Sequence, residues 1–237
     1  MSPVFAATSK TVSYKSGNET ITGLLFTPDH VKAGARLPGI VVVHEWWGLN
    51  DWVKQQASNL ADQGYVALAV DLYRGKIATS PEQAHELMRG LDPDRATRDL
   101  LGAAAFLRQQ KNVNPAKIGS IGWCMGGGYS LDLALHDPSL AATVINYGHL
   151  VSDPAAIQKI HAPILGIFGA QDQGIPVDDV QKFETALKQA NKKVEIKIYD
   201  DAGHAFQNPE NKAGYRPADT ADANKRIQEF LASNLKK

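Results

Sequence analysis

A single cysteine, Cys124, stands in 237 residues, and that scarcity removes several possibilities at once. No disulfide framework and no cysteine-built zinc cluster can form within the chain, so any thiol chemistry must occur at Cys124. Net charge is also missing, since Lys+Arg and Asp+Glu both number 25. Nothing in that balance favours nucleic acid or an anionic membrane as a partner. No apolar run approaches the length of a bilayer-spanning helix. No two histidines have zincin spacing, and no glycine-rich dinucleotide or phosphate loop occurs. The expectation is therefore no metal and no organic cofactor. Internal repeats, low-complexity tracts and dividing linkers are absent too.

What is present can bury a sizeable core: 43% of the residues are hydrophobic, and nothing in the composition suggests disorder. Residues 1–10 are read as an N-terminal extension and residues 11–237 as one domain. Met1–Lys10 lacks the basic start and long apolar stretch of an intact signal peptide. The expected compartment is therefore the cytoplasm. The alternative is export behind a removed leader, because Phe5-Ala6-Ala7 resembles the small-residue end of one.

Thr11–Tyr14 and Ile21–Phe26 flank the turn-rich Ser16-Gly17-Asn18 and predict a β-hairpin. Ile40–Val43, Tyr65–Val70, Lys117–Trp123, Ala142–Tyr147, Pro163–Phe168 and Val194–Tyr199 predict further strands, several of them wholly apolar as strands covered on both faces are. Between them come helices. Asp51–Asp62 buries Val53, Ala57, Leu60 and Ala61 on one face and stops at Gly64. Ser80-Pro81 and Asp92-Pro93 each combine an N-cap with proline in the first turn, opening helices that run to Met88 and to about Gln110. A helix rich in small residues follows Cys124, and Val177–Ala190 and Pro217–Leu235 complete the set. Alternating strands and helices imply an α/β fold with a mainly parallel sheet flanked by helices on both faces. In such sheets, sites form just beyond the carboxyl ends of the strands.

Gly122-Trp123-Cys124-Met125-Gly126 occupies such a place. It fits the nucleophile-elbow pattern, with cysteine where serine is commoner. Side chains two residues either side of the nucleophile would collide with backbone, and glycine at both positions relieves this. Gly127 and Gly128 let the following helix approach the sheet, and its N-terminus favours a thiolate or a developing oxyanion. Of seven histidines, only His204 follows the last strand directly, within Gly203-His204-Ala205-Phe206, where a base for such a nucleophile is expected. Asp172 follows Pro163–Phe168, and the order Cys124, Asp172, His204 is that of nucleophile, acid and base. Asp200 and Asp201 are nearer to His204 in sequence but read as solvated loop residues.

His44-Glu45-Trp46-Trp47-Gly48 sits where the second oxyanion-hole amide is expected, which makes the backbone N–H groups of Trp46 and Met125 the candidates. A carboxylate beside a developing oxyanion is unfavourable. Glu45 makes sense there if it interacts with Cys124, for example by accepting the thiol proton. The alternative is an exposed glutamate that caps the next helix.

Together, His44-Glu45-Trp46-Trp47-Gly48-Leu49-Asn50, Asp71-Leu72-Tyr73, the Gly122–Gly128 elbow, Asp172 and Gly203-His204-Ala205-Phe206 resemble the dienelactone hydrolase family over nearly the whole chain from about Val12. The resemblance implies an α/β-hydrolase fold, no cofactor, and a triad of Cys124, His204 and Asp172. It also implies that Glu45 holds the resting thiol protonated until substrate displaces it. The two arginines with which the family clamps a substrate carboxylate align with Pro81 and Asn208, with Arg74 or Arg89 as candidate replacements from nearby loops. Trp47, His85, Met88, Tyr147 and Phe206, with Trp46, are the expected pocket residues. Such a pocket suits neutral small-molecule esters or lactones, handled by a monomer or small homo-oligomer. Two other readings stand beside this one: a general small-acyl carboxylesterase or thioesterase, and a non-catalytic binding module or thiol redox sensor.

Overall fold

The computed structural model describes residues 7–32 and 34–237. Residues 1–6, the larger part of the stretch read as an extension and including the leader-like Phe5-Ala6, lie outside the described residues. The first strand, β1 (Ala7–Ser16), begins inside that stretch and pairs antiparallel with β2 (Glu19–Pro28). It starts earlier than the apolar pattern suggests because Thr8 and Lys10 face Thr27 and Leu25 in an unbroken register. Gly17 supplies the left-handed turn, at φ 57.

The remaining elements alternate: β3 (Leu37–Val43), α1 (Asp51–Asp62), β4 (Val66–Val70), α2 (Pro81–Arg89), α3 (Pro93–Gln109), β5 (Val113–Trp123), α4 (Met125–His136), β6 (Ala142–Asn146), α5 (Pro154–Gln158), β7 (Ile164–Gly169), α6 (Val177–Gln189), β8 (Val194–Tyr199) and α7 (Pro217–Leu235). The eight strands form one sheet in the order β1-β2-β4-β3-β5-β6-β7-β8. The β1/β2 and β2/β4 pairs are antiparallel, and β3/β4, β6/β7 and β7/β8 are parallel. This is the α/β sheet expected from the alternation, in the α/β-hydrolase arrangement that the resemblance implies.

Two compact units divide the chain, one reaching to Ser120 and the other spanning Ile121–Lys237. In the first, Val41–Val43 and Val66–Val70 are wholly buried, as strands with helices over them must be. Val53, Ala57, Leu60 and Ala61 form the buried face of α1, whose N-cap Asn50 accepts a hydrogen bond from the Val53 amide. Ser80 and Asp92 cap α2 and α3 in the same way, with proline in the first turn of each. In the second unit, Leu131, Ile145, Ile164, Phe168, Phe183 and Leu187 belong to one core cluster. The short α5 was not expected, although Asp153-Pro154 repeats the cap-and-proline signal. Among the described residues no helix is long and apolar enough to cross a membrane.

Candidate active site

Local sterics shape the end of β5. Cys124 takes φ 56 and ψ −122, a conformation that costs an L-residue of order 1–3 kcal/mol and persists only where the surroundings enforce it. They do so by close backbone approach. A Cβ on Gly122 would lie 2.0 Å from the Gly126 carbonyl oxygen, and one on Gly127 would lie 2.6 Å from the Asn146 carbonyl oxygen. Each glycine is thus a condition for the turn. Cys124 donates its backbone N–H to the Asn146 carbonyl (3.0 Å), and its own carbonyl accepts from the Gly127 amide (3.0 Å). The residue is half-buried, with Met125 opening α4 directly after it.

Asp172, in the loop after β7, has a side chain only 1% exposed. Its Oδ1 accepts from the backbone amides of Gly174 (2.8 Å) and Ile175 (3.2 Å). Its Oδ2 accepts from His204 Nδ1 at 2.7 Å. With Nδ1 committed to Asp172, the imidazole also interacts with the Cys124 side chain. Burial by itself disfavours the imidazolium, but the hydrogen bonds to Asp172 and Cys124 outweigh it and push His204 up to about 10. The structure thus brings Cys124, His204 and Asp172 together in one connected line. Asp200 and Asp201 are exposed, and no hydrogen bond links either to His204.

Tyr147 and Phe206, expected in the substrate pocket, are both 0% exposed and therefore present no surface to a ligand. The Tyr147 ring lies 5.3 Å from the His204 ring and 5.7 Å from the Phe206 ring, and Phe206 packs in turn on Tyr199 at 5.2 Å. They form the wall behind the base. Backbone strain gathers here as well: Tyr147 and Ala205 have φ 38 and 55.

Sequence reasoning missed a buried polar chain below these residues. Trp123 Nε1 donates to Gln207 Oε1 (2.9 Å), Gln207 Nε2 to Asn146 Oδ1 (3.0 Å), and Asn146 Nδ2 to the Gly122 carbonyl (3.0 Å). The available signal was an amide residue, Asn146, ending the buried strand β6.

In the first unit, Glu45 lies just past β3 and is 1% exposed. The cap of α1 is Asn50, so Glu45 is neither exposed nor the capping residue. The neighbouring His44 is fully buried, and burial holds its imidazole below the ordinary value. Its Nε2 accepts from the Leu72 amide (3.3 Å), which leaves Nδ1 as the donor to the Glu45 carbonyl (2.6 Å). A neutral ring of fixed tautomer thus secures the backbone that carries Glu45. Trp46 stacks edge-on with Trp47 (5.0 Å) and with the exposed His85 (4.8 Å), while Met88 is half-buried on α2.

The family's arginine positions are not functional cations here. Pro81 is the first residue of α2, and Asn208 is 3% exposed with its side chain accepting from the Glu210 amide. Arg74, one of the two replacements considered, is tied to Asp99 (2.6 Å) and Glu19 (3.2 Å). Arg89 is exposed in the last turn of α2. Among the described residues no group of three or more histidine, cysteine, aspartate or glutamate side chains is arranged to hold a metal ion.

The pattern of the dienelactone hydrolase family matches residues 21–235. The chain belongs to the dienelactone hydrolase family. A protein of Methylorubrum extorquens, provisionally named carboxymethylenebutenolidase, is 32% identical over 212 residues, covering 84% of this chain and 72% of its own. An Escherichia coli protein with the same provisional name is 34% identical over 210 residues, covering 82% and 76%. A crystal structure from Klebsiella pneumoniae, described as a dienelactone hydrolase on the same provisional footing, superposes with a TM-score of 0.86. It is 28% identical and covers 96% of this chain and 99% of its own. With the family comes the reaction class: this protein is an ester or lactone hydrolase.

Proposed function

We propose that Cys124 is the nucleophile of this dienelactone hydrolase family member, with His204 as general base and acid and Asp172 as its orienting acid. The observation that carries this reading is the connected line from sulfur to imidazole to buried carboxylate, with the His204–Asp172 distance at 2.7 Å. Asp172 fixes the tautomer, so the imidazole can take the thiol proton, and its raised affinity for that proton then holds it as the imidazolium beside the thiolate. The thiolate attacks the carbonyl carbon, a C–S bond forms, and the carbonyl oxygen becomes an oxyanion. Collapse expels the alkoxide, which takes a proton from His204, and the thioester remains. His204 then deprotonates water, whose attack releases the acid and returns the thiolate. In a lactone the expelled oxygen stays attached to the acyl chain, so the product is a ring-opened hydroxy or enol acid.

The oxyanion donors in this reading are the amides of Trp46 and Met125, and Glu45 is the group that keeps the resting thiol protonated. Trp46, Trp47, His85 and Met88 are the substrate-facing residues. Neutral esters or lactones are the substrate class, because Arg74 is already engaged by two carboxylates and the clamp positions hold Pro81 and Asn208. A general small-acyl esterase is the nearest second reading, favoured by the same loss of the clamp. The alternative of a thiol redox sensor needs neither the Asp172–His204 pair nor ester turnover.

The test is turnover of a short-chain nitrophenyl ester by the wild type, by Cys124→Ala, and by the wild type after iodoacetamide. Loss of turnover in both treated cases is the expected result. Turnover that survives both would remove Cys124 from the chemistry.

A further inference from the structure

Every participant in the buried chain Trp123–Gln207–Asn146–Gly122 is nearly or fully out of solvent: Trp123 is 2%, Gln207 4% and Asn146 0% exposed. The direction of donation along it is forced. Indole Nε1 can only donate and a backbone carbonyl can only accept. Trp123 at one end therefore fixes Gln207 with its oxygen towards the indole. That turns Gln207 Nε2 onto Asn146 Oδ1 and Asn146 Nδ2 onto the Gly122 carbonyl. Neither amide can flip without setting donor against donor.

This chain starts and ends on the elbow, at Trp123 and Gly122, and passes through Gln207 of the His204 loop, so it joins the parts of the site that must stay in register. Asn146 holds the elbow at two points, the Gly122 carbonyl through its side chain and the Cys124 amide through its carbonyl. Gln207 follows His204 by three residues in the loop that carries the base. The next residues along each segment repeat the link in apolar form, with Tyr147 packed on His204 and Phe206.

We infer that Asn146 and Gln207 are positioning residues that set the alignment of the Cys124 elbow against the His204 loop. The inference rests on the assignment of Cys124 and His204 above, and its test uses a readout that does not depend on turnover. Gln207→Met keeps length and volume but removes both hydrogen bonds. Gln207→Glu keeps an acceptor for Trp123 and regains a donor towards Asn146 only when its carboxyl is protonated.

The measurement is the rate of iodoacetamide alkylation of Cys124 against pH, beside kcat and KM per alkylatable thiol on a nitrophenyl ester. In Gln207→Met the alkylation profile shifts from the wild-type profile, and kcat falls about tenfold to a hundredfold, the scale of a misplacement of about 1 Å. KM stays near the wild-type value. In Gln207→Glu the ratio of variant to wild-type alkylation rate approaches one as pH falls, and this decides the matter if the methionine variant does not fold. Wild-type alkylation profiles in folded Gln207→Met, or a pH-independent ratio in Gln207→Glu, would overturn the inference. Absence of ester turnover in the wild type would count against the assigned chemistry, while the alkylation profiles would still decide the positioning role.

Discussion

Asp172 accepts three hydrogen bonds, two from backbone amides and one from His204. In Asp172→Asn the amide oxygen still suits the Gly174 and Ile175 N–H groups, so its NH₂ is left facing His204. The imidazole must then present an acceptor at Nδ1 and carry its proton on the other ring nitrogen. That is the wrong tautomer for a base, and kcat is expected to fall by about 10⁴ with little change in fold. A second expectation concerns pH. His204 is raised above its unfolded value of 6.5 to about 10. Its contribution to stability is therefore complete below about pH 6.5 and is lost as pH rises through about 10. Its side chain is 40% exposed, so solvent screens part of the effect. Urea midpoints of wild type and His204→Gln should differ most near pH 6 and converge towards pH 10. A constant gap across that range would show that the ion pair contributes nothing. The residues of this line were legible in the sequence because each stands in a short motif soon after a strand ends. Asn146 and Gln207 were not, because their role depends on a partner 61 residues away. Tyr147 and Phe206, read as pocket residues, are instead fully buried, with Tyr147 packed on the His204 and Phe206 rings. An aromatic residue next to a catalytic motif looks the same in sequence whether it lines a pocket or backs a base.

Elements were read well where a chemical signal marks their ends. Helix α1 matches its expected span because Asn50 caps it and Gly64, at φ 88, ends it. Strand β5 begins at Val113, earlier than expected, because Asn114-Pro115 reads as a breaker in sequence while the sheet continues through it. The caps themselves are testable. Asp92 accepts from the amides of Asp94 and Arg95 at the start of α3, and Asp92→Ala should cost about 1 kcal/mol in urea unfolding without altering turnover. Helix α4 depends on contact distance instead. Gly127→Ala would place its Cβ 2.6 Å from the Asn146 carbonyl oxygen and 2.9 Å from Gly148 Cα. The obstacle is backbone, so the elbow itself must move. Destabilisation of about 1–3 kcal/mol is expected, the usual range for overpacking, together with loss of ester turnover. A variant as active and as stable as wild type would mean that the first turn of α4 has slack the geometry does not show.

At the scale of the folded chain, the buried core is mostly apolar and follows from the alternation of buried strands and amphipathic helices, which is why the fold class is legible in the sequence. The exception in the first unit is Asp99. Its side chain is 0% exposed and lies on α3 amid apolar neighbours, where the sequence pattern calls for another hydrophobe. It receives both guanidinium nitrogens of Arg74 (2.6 and 3.0 Å) and the hydroxyl of Ser16 (2.5 Å). The carboxylate thereby ties together α3, the end of β1 and the loop after β4. Asp99→Ala removes one charge of a pair that is partly buried and leaves Arg74, 27% exposed, with Glu19 and the Asp71 carbonyl as its remaining partners. Breaking such a pair from one side costs about 3–5 kcal/mol when both charges are deeply buried, and solvent access to Arg74 puts the expected loss at the lower end. Replacing both charges at once, as Asp99→Leu with Arg74→Met, removes the desolvated charge along with its partner and should cost less than the single change. If urea unfolding shows the double variant to be the weaker of the two, then the pair serves stability as well as alignment, and the polar exception in this core is a net source of folding energy.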